Sequence, residues 1–110
     1  MRLPNADWAV VADEKIARYL LSPVHPSGRH KAAFFRRFGF TPQHPGALAA
    51  ALREHACGNE VARLDDTAFG TRYTVEGPLH TPDGRAPLVR TVWFVDHSEE
   101  LPRLVTAYPC

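Results

Sequence analysis

The sequence contains only two cysteines, Cys57 and Cys110, among its 110 residues, which is too few for a disulfide framework. Cys110 is the last residue and Cys57 stands beside Gly58, so we expect two free thiols in a reducing compartment. The opening segment MRLPNADWAVVADE lacks the long apolar run of a secretory signal. No apolar run approaches the roughly 20 residues that span a bilayer. The sequence therefore predicts a cytoplasmic protein that does not enter a membrane.

Short motifs that bind metals or nucleotides are also missing. No spacing of His, Cys, Asp and Glu resembles a zinc site, and there is no P-loop and no GxGxxG motif. The two cysteines lack the partner pattern of a thiol protease. These absences predict a protein without a metal or another cofactor.

Acidic residues are absent between His25 and Arg53, although the net charge of the whole chain is only +1. The same stretch contains a cluster of basic residues, namely Arg29, Lys31, Arg36 and Arg37. A local basic patch of this kind binds nucleic acid, binds an acidic partner protein or simply aids solubility. The length of 110 residues and the apolar content of 45% predict one globular domain covering residues 1–110.

Helical periodicity dominates the first half of the chain. Ile16, Tyr19 and Leu20 follow the i, i+3, i+4 pattern and predict a first helix over 14–21. A second helix is predicted over 28–38, with Ser27 as its N-cap and Gly39 after its end. A third is predicted over 45–56, with His55 on its core face, where a packed imidazole would relieve the helix dipole.

From Glu60 onward the chain is rich in β-branched and aromatic residues separated by turns. This pattern predicts strands at 61–64, 69–79, 87–96 and 103–108. Helices followed by strands indicate an α+β fold, with three N-terminal helices packed on a mainly antiparallel sheet of about four strands. The strand at 87–96 carries Arg90, for which we slightly favour a cross-strand ion pair with Glu76 or Asp96 over a place in a cleft.

Lys31 does not fit its predicted position. On a helical wheel it shares the apolar face of Phe34, Phe35 and Phe38, where an unpaired charge is costly. It also lies in the first turn, where the helix dipole disfavours a cation. One interpretation is that Lys31, His25 and the helix N–H groups converge on a phosphate. The other, at about even odds, is that the lysine stem passes the phenylalanines and ends in water.

Several blocks of the sequence resemble known bacterial families across about residues 5–109, namely YLLS at 19–22, HPSGRHKA at 25–32, FF at 34–35, GF at 39–40, FGTRYTVEG at 69–77, RTVW at 90–93 and PRLVTAYP at 102–109. They resemble a small family known as a domain of unknown function. They also resemble the C-terminal toxin domains of polymorphic and contact-dependent systems. Those toxins are thought to belong to the barnase–EndoU–colicin–RelE-like group of metal-independent ribonucleases. The chain opens with methionine and shows no delivery region, so we expect a stand-alone member.

The resemblance implies RNA cleavage, in which a 2′-OH attacks the adjacent phosphate. We assign His25 as base or acid, because its unperturbed pKa lies near neutrality. Lys31 and Arg72 are the predicted cations that stabilise the transition state, and Thr106 would orient a phosphate oxygen or a water. The candidate partner of His25 is His30 or a lysine with a depressed pKa. The predicted substrate-binding residues are Arg29, His30, Arg90, Thr91, Arg103 and Tyr108, of which Tyr108 would stack on a base.

Two non-catalytic hypotheses remain. In the first, the basic second helix binds RNA without cutting it, or binds an acidic partner such as a cognate antitoxin or immunity protein. In the second, the domain is a structural accessory with no ligand. Catalysis requires His25 and Lys31 to meet in a cleft with an arginine from the sheet, whereas binding requires only an exposed basic surface. The distances between these groups therefore distinguish the hypotheses.

Overall fold

The computed structural model of the chain describes residues 1–26 and 28–110, so the predicted N-cap Ser27 lies outside the described residues. The helical elements come first: a 3₁₀ turn (Ala6–Trp8), α1 (Asp13–Lys15), a π-helical turn (Ile16–Leu20), α2 (Arg29–Arg37) and α3 (Pro45–Gly58). The strands follow: β1 (Val61–Asp66), β2 (Gly70–Pro78), β3 (Leu88–Asp96) and β4 (Arg103–Pro109). The predicted α+β fold is confirmed.

The four strands form one antiparallel sheet in the order β1-β2-β3-β4. The sheet is therefore a meander in which β1 and β4 are the edge strands. An N-terminal arm covers the start of the β4 edge. Val10 donates its N–H to the carbonyl of Pro102 at 2.8 Å and accepts from the N–H of Leu104 at 2.9 Å. This contact, together with packing of α2 against β4, holds the helical layer beside the edge of the sheet.

The two faces of the sheet differ in character because side chains alternate along each strand. The inner face packs on the helices through buried residues such as Val75, Val89, Trp93 and Ala107. The other side is called the outer face below, and the strand register assigns to it Arg63, Asp65, Arg72, Thr74, Glu76, Arg90, Val92, Phe94, Arg103, Thr106 and Tyr108.

A bulge in β4 decides which of its side chains reach the outer face. Trp93 pairs with Leu104, but its neighbour Val92 pairs with Thr106, so Val105 is the extra residue. Strict alternation would place Leu104 on the same face as Thr106. Because of the bulge, Leu104 enters the core and Thr106 points outward.

The core face of α2 is centred on Ala32 and Phe35, whose side chains are fully buried. Phe34 and Phe38, predicted to share that face equally, are only half-buried at its margin. Phe34 packs against the core cluster that contains Phe35, Trp93 and Leu104. The helix is therefore rotated so that Lys31 also lies at the margin, between core and solvent.

A hydrogen-bonded chain crosses the buried interface between α3 and the sheet. The Trp93 indole donates to the Thr91 hydroxyl at 2.9 Å, and His55 Nδ1 lies 3.0 Å from the same hydroxyl. His55 Nε2 meets the carbonyls of Val89 at 2.9 Å and Gly77 at 3.1 Å, which makes Nε2 the donor and Nδ1 the acceptor. Burial lowers the pKa of His55 against the opposing effect of these carbonyls. His55 is thus a packed core imidazole, as predicted. Because its lowered pKa disfavours the charged form, relief of the helix dipole does not explain its position.

Thr91 was predicted to bind substrate, and this prediction is wrong. Its side chain is fully buried, and its hydroxyl hydrogen-bonds with Trp93 and His55.

Both described cysteines are exposed free thiols. Within residues 1–26 and 28–110, no helix has the length and apolar character needed to cross a membrane.

Candidate active site at the edge of strand β4

The amine of Lys31 leaves the margin of α2 and reaches the edge of the sheet. It donates to the hydroxyl of Tyr19, on the π-helical turn, and to Thr106 Oγ1 at 3.0 Å, on β4. It lies 4.7 Å from the ring centre of Tyr19 and 5.7 Å from that of Tyr108. Lys31 therefore neither ends in open water nor enters the core. It connects the helical layer to the outer face.

His25 joins the same group through Tyr19. The two rings meet edge to face with centroids 4.9 Å apart, and His25 is half-buried. Its Nδ1 accepts the backbone N–H of Gly28 at 3.0 Å, so a neutral ring carries its proton on Nε2. Tyr19, His25, Lys31, Thr106 and Tyr108 are called the Lys31 cluster below.

The local backbone explains why these side chains meet. Gly28, directly before α2, packs on Tyr19, and only glycine allows this approach. A Cβ added at Gly28 would overlap the carbonyl oxygen of Tyr19 and lie 2.9 Å from its ring atom Cδ1. Tyr19 itself lies in a π-helical turn, an irregular form of helix that is frequent at functional sites.

The electrostatics of the Lys31 cluster favour negative charge. Burial alone would raise the pKa of Tyr19, but hydrogen bonds from Lys31 and Thr106, with the charges of Lys31 and Lys15, lower it below 10.0. Both hydrogen-bond partners of Lys31 are hydroxyls, and the ion pairs found among residues 1–26 and 28–110 do not include it. A half-buried ammonium with no carboxylate partner among the described residues is a candidate site for an anion.

A groove on the outer face begins at Thr106 and Tyr108 of the Lys31 cluster and runs across the sheet, although His25 and Lys31 are not among its lining residues. It has a volume of about 330 Å³, and its walls include Arg72, Thr74, Thr106 and Tyr108. An adjoining groove of about 270 Å³ shares Thr74 and Tyr108 and adds Arg90. Arg72 therefore shares one groove with Thr106, but no hydrogen bond links it to Lys31 in the described part of the chain.

Arg90 forms the predicted cross-strand ion pair with Glu76, directly opposite in the register. Its guanidinium also lies 5.5 Å from the ring centre of Tyr108. The Tyr108 hydroxyl and the Glu76 carboxylate raise the pKa of Arg90. Arg90 thus borders the Lys31 cluster, but part of its charge is already used by Glu76.

Three other predicted substrate-binding residues lie away from the cluster. Arg29 and His30 are exposed on the solvent side of α2, where they line a separate groove of about 420 Å³ with Arg36. His30 and His25 line different grooves in the described part of the chain. Arg103 is exposed, pairs with Asp96 at 2.6 Å and lies over Phe94 at the far end of the outer face.

Tyr19 was not among the predicted site residues. Its i, i+3, i+4 spacing with Ile16 and Leu20 made it appear to be a core residue. The available signal was its chemistry, because a tyrosine at the margin of an apolar face usually directs its hydroxyl to a polar partner.

Among the described residues, no group of three His, Cys, Asp or Glu side chains is arranged to hold a metal ion.

Residues 2–110 match the family described as Domain of unknown function (DUF6883). The chain belongs to the DUF6883 family. This confirms the predicted resemblance to a family defined as a domain of unknown function. No curated protein matches the DUF6883 chain.

The fold of the DUF6883 chain is also found in a solved structure described as "Contact-dependent growth inhibition toxin - immunity protein complex from Klebsiella pneumoniae 342". The TM-score is 0.74, and the alignment covers 92% of this chain and 99% of the other. Sequence identity is 17%, so the likeness establishes a shared fold.

Proposed function

We propose that this chain is a toxin-like endoribonuclease that cleaves RNA by attack of a 2′-OH on the adjacent phosphate, without a metal. One observation carries the proposal. The ammonium of Lys31 is fixed between the hydroxyls of Tyr19 and Thr106, within the same cluster as the His25 ring. This arrangement combines a preorganised cation with a proton-donating group, which are two of the three requirements of the reaction, the third being a base for the 2′-OH.

Lys31 stabilises the charge that develops on phosphorus. In the transition state the phosphate oxygens gain negative charge, and a cation already held in position stabilises them without reorganisation. The position of Lys31 is set by two hydroxyl partners on different elements, so its amine does not need to be ordered by the substrate. Thr106, on the groove side of Lys31, is suited to orient a phosphate oxygen.

His25 acts as a hydrogen-bond donor in this proposal. Because Nδ1 accepts from Gly28, the neutral ring presents an N–H at Nε2. That N–H is suited to a phosphate oxygen or the leaving 5′-oxygen. Of the two roles named for His25, base or acid, the proposal therefore keeps only that of a donor.

The outer face is suited to hold the RNA strand. The groove between Arg72 and Thr106 leads to Tyr108, whose half-buried ring is suited to stack on a base. Arg72 lines this groove together with Asp65, which stands opposite it in the register, and it takes part in none of the ion pairs found among the described residues. In this proposal Arg72 binds a phosphate of the strand. RNA as the substrate implies action in the cytoplasm.

A cognate partner protein belongs to the same proposal. The solvent side of α2 exposes Arg29, His30, Arg36 and Arg37, which we call the basic face. Such a surface fits an acidic inhibitor of the antitoxin or immunity type by charge complementarity. The related fold described as part of a toxin–immunity complex supports this expectation.

The test is cleavage of RNA by the purified chain with EDTA present. We expect cut RNA with 2′,3′-cyclic phosphate ends, whereas DNA of the same sequence stays intact because it lacks the 2′-OH. His25→Ala should slow cleavage by about 10²–10³-fold, the usual loss when one transition-state donor is removed. His44→Ala, a change at another histidine outside the cluster, is the matched control and should leave the rate unchanged. Intact RNA after long incubation with folded wild-type protein would support the non-catalytic binding module instead.

A further inference from the structure

Tyr19 holds the central position in the Lys31 cluster, yet the proposed function so far gives it no chemical task. It contacts both Lys31, through its hydroxyl, and His25, through its ring. The π-helical turn and the close approach of Gly28 both serve to fix this one side chain. Packing alone does not require a tyrosine hydroxyl directed at an ammonium.

The reaction still lacks a base. The attacking 2′-OH must lose its proton, but neutral His25 carries its own proton on Nε2 and uses Nδ1 to accept from Gly28. The ammonium of Lys31 is a donor in both of its hydrogen bonds. The two hydroxyls that Lys31 contacts belong to Tyr19 and Thr106. Of these, only a phenol ionises within the ordinary pH range of a protein.

We propose that Tyr19 is the general base of the ribonuclease reaction, an assignment that rests on the proposed function. The Tyr19 phenolate takes the proton of the 2′-OH as the O2′–P bond forms and the P–O5′ bond breaks. The leaving 5′-oxygen takes a proton from a water molecule, and the resulting hydroxide removes the proton from Tyr19. The products are a 2′,3′-cyclic phosphate end and a 5′-hydroxyl end, and the phenolate is restored.

The surroundings of Tyr19 determine the pH dependence of this step. Charged and titratable groups face it from several elements. They are Glu14 and Lys15 from α1, Arg18 from the π-helical turn, His25 from the following loop, Lys31 from α2 and Tyr108 from β4. Lys31 donates a hydrogen bond to the phenol oxygen, and the Lys15 amine lies 5.4 Å from the ring centre. Since the positive groups favour the phenolate, the cleavage rate should rise from neutral pH until Tyr19 is fully ionised.

The decisive variant is Tyr19→Phe, which keeps the ring that packs on His25 and removes only the hydroxyl. We expect RNA cleavage to fall by about 10²–10⁴-fold, the usual contribution of a proton-transfer group, and the alkaline rise of the rate to disappear. Tyr73→Phe is the matched control, because Tyr73 is a half-buried tyrosine that packs against the core. It should keep both the rate and its rise with pH.

A second readout does not depend on activity. Tyrosinate absorbance is titrated in wild-type protein and in Tyr19→Phe, and the difference reports Tyr19 alone among the three tyrosines. We expect the pKa of Tyr19 to lie below the value of about 10 of an unperturbed tyrosine, and Lys31→Met to raise it. Active wild-type protein with an unimpaired Tyr19→Phe variant, or a Tyr19 midpoint above about 10, would overturn the base assignment alone. Folded wild-type protein that leaves RNA intact would overturn the proposed function, and the assignment with it.

Discussion

Lys31 is the residue whose surroundings explain most of the proposed site. Its half-buried ammonium lies in the first turn of α2, where the helix dipole opposes a cation. Its partners Tyr19 and Thr106 contribute hydroxyl groups, and neither is a carboxylate that would compensate the charge. The position is therefore poor for stability and suited to a negatively charged ligand, which is the combination expected of a functional residue.

Replacing Lys31 with methionine separates these two effects. We expect Lys31→Met to reduce RNA cleavage by about 10²-fold or more, because a preorganised positive charge is lost from the transition state. Stability should change by less than about 1 kcal/mol, since the stem is kept and an unfavourable charge–dipole contact is removed. Cleavage assays beside urea unfolding measure both quantities. Arg53→Met, which removes a half-buried cation from α3, is the control, and equal activity of the two variants would contradict the role of Lys31.

The structure bears on the positions of the predicted site residues and not on their roles. His25, Lys31, Thr106 and Tyr108 were all named from the sequence blocks, and the structure brings them together. Thr91 was named wrongly, because the sequence does not reveal that its hydroxyl serves His55 and Trp93 in the core. Whether the assembled residues cleave RNA stays a prediction.

At the scale of elements, the rotation of α2 determines where Lys31 points. Periodicity predicted both ends of α2 to within one residue. It assigned Phe34, Phe35 and Phe38 to one apolar face but did not indicate which of them lies at its centre. In the structure the centre of that face is Phe35, with Phe34 half-buried beside it. The sequence does not fix such a rotation, because it depends on the neighbouring surfaces of β4 and the π-helical turn.

The rotation of α2 has a measurable consequence. Phe35→Ala should lower the free energy of unfolding by about 3–5 kcal/mol, the cost of removing a fully buried ring. Phe34→Ala should cost clearly less, because part of that ring already contacts solvent. Urea unfolding of both variants provides the comparison. An equal or larger loss for Phe34→Ala would mean that the helix is rotated the other way and that Lys31 points elsewhere.

Two irregular elements at the site were beyond sequence patterns. Alternation in β4 assigns Leu104 and Thr106 to one face, but the bulge at Val105 separates them into core and outer face. The spacing of Ile16 and Leu20 fits an ordinary helix, but this segment forms a π-helical turn. Both deviations depend on long-range packing, and both are needed to bring Tyr19 and Thr106 to the same ammonium.

At the scale of the whole molecule, helices cover the inner face of the sheet while the outer face stays open. On the outer face Arg63 pairs with Asp65 and Arg103 pairs with Asp96, whereas Arg72, which stands opposite Asp65 in the register, takes part in none of the ion pairs found among the described residues. The fold thus separates two tasks. The His55 network stabilises the core on one side, and the proposed chemistry takes place on the other.

The core network makes the stability of the whole molecule sensitive to pH. Folding lowers the pKa of His55 below 6.5, so in the window just below that value the unfolded chain binds a proton that the folded chain excludes. The free energy of unfolding should therefore decrease as the pH falls from about 7.5 to about 5.5. Urea unfolding at several pH values should show a shallower decrease in His55→Gln. The same change at the exposed His44 is the control, and an identical pH dependence in wild type and His55→Gln would contradict this account.

The central claim is that the 2′-OH of the substrate is the nucleophile, and one substrate tests it most directly. A DNA oligonucleotide is made with the sequence of a mapped RNA cleavage site and a single ribonucleotide at the cut position. In EDTA, the wild-type chain should cut this oligonucleotide only at the ribonucleotide and leave a 2′,3′-cyclic phosphate. A matched oligonucleotide with a 2′-O-methyl group at that position should stay intact. Cleavage of the 2′-O-methyl substrate at the same position would contradict the account.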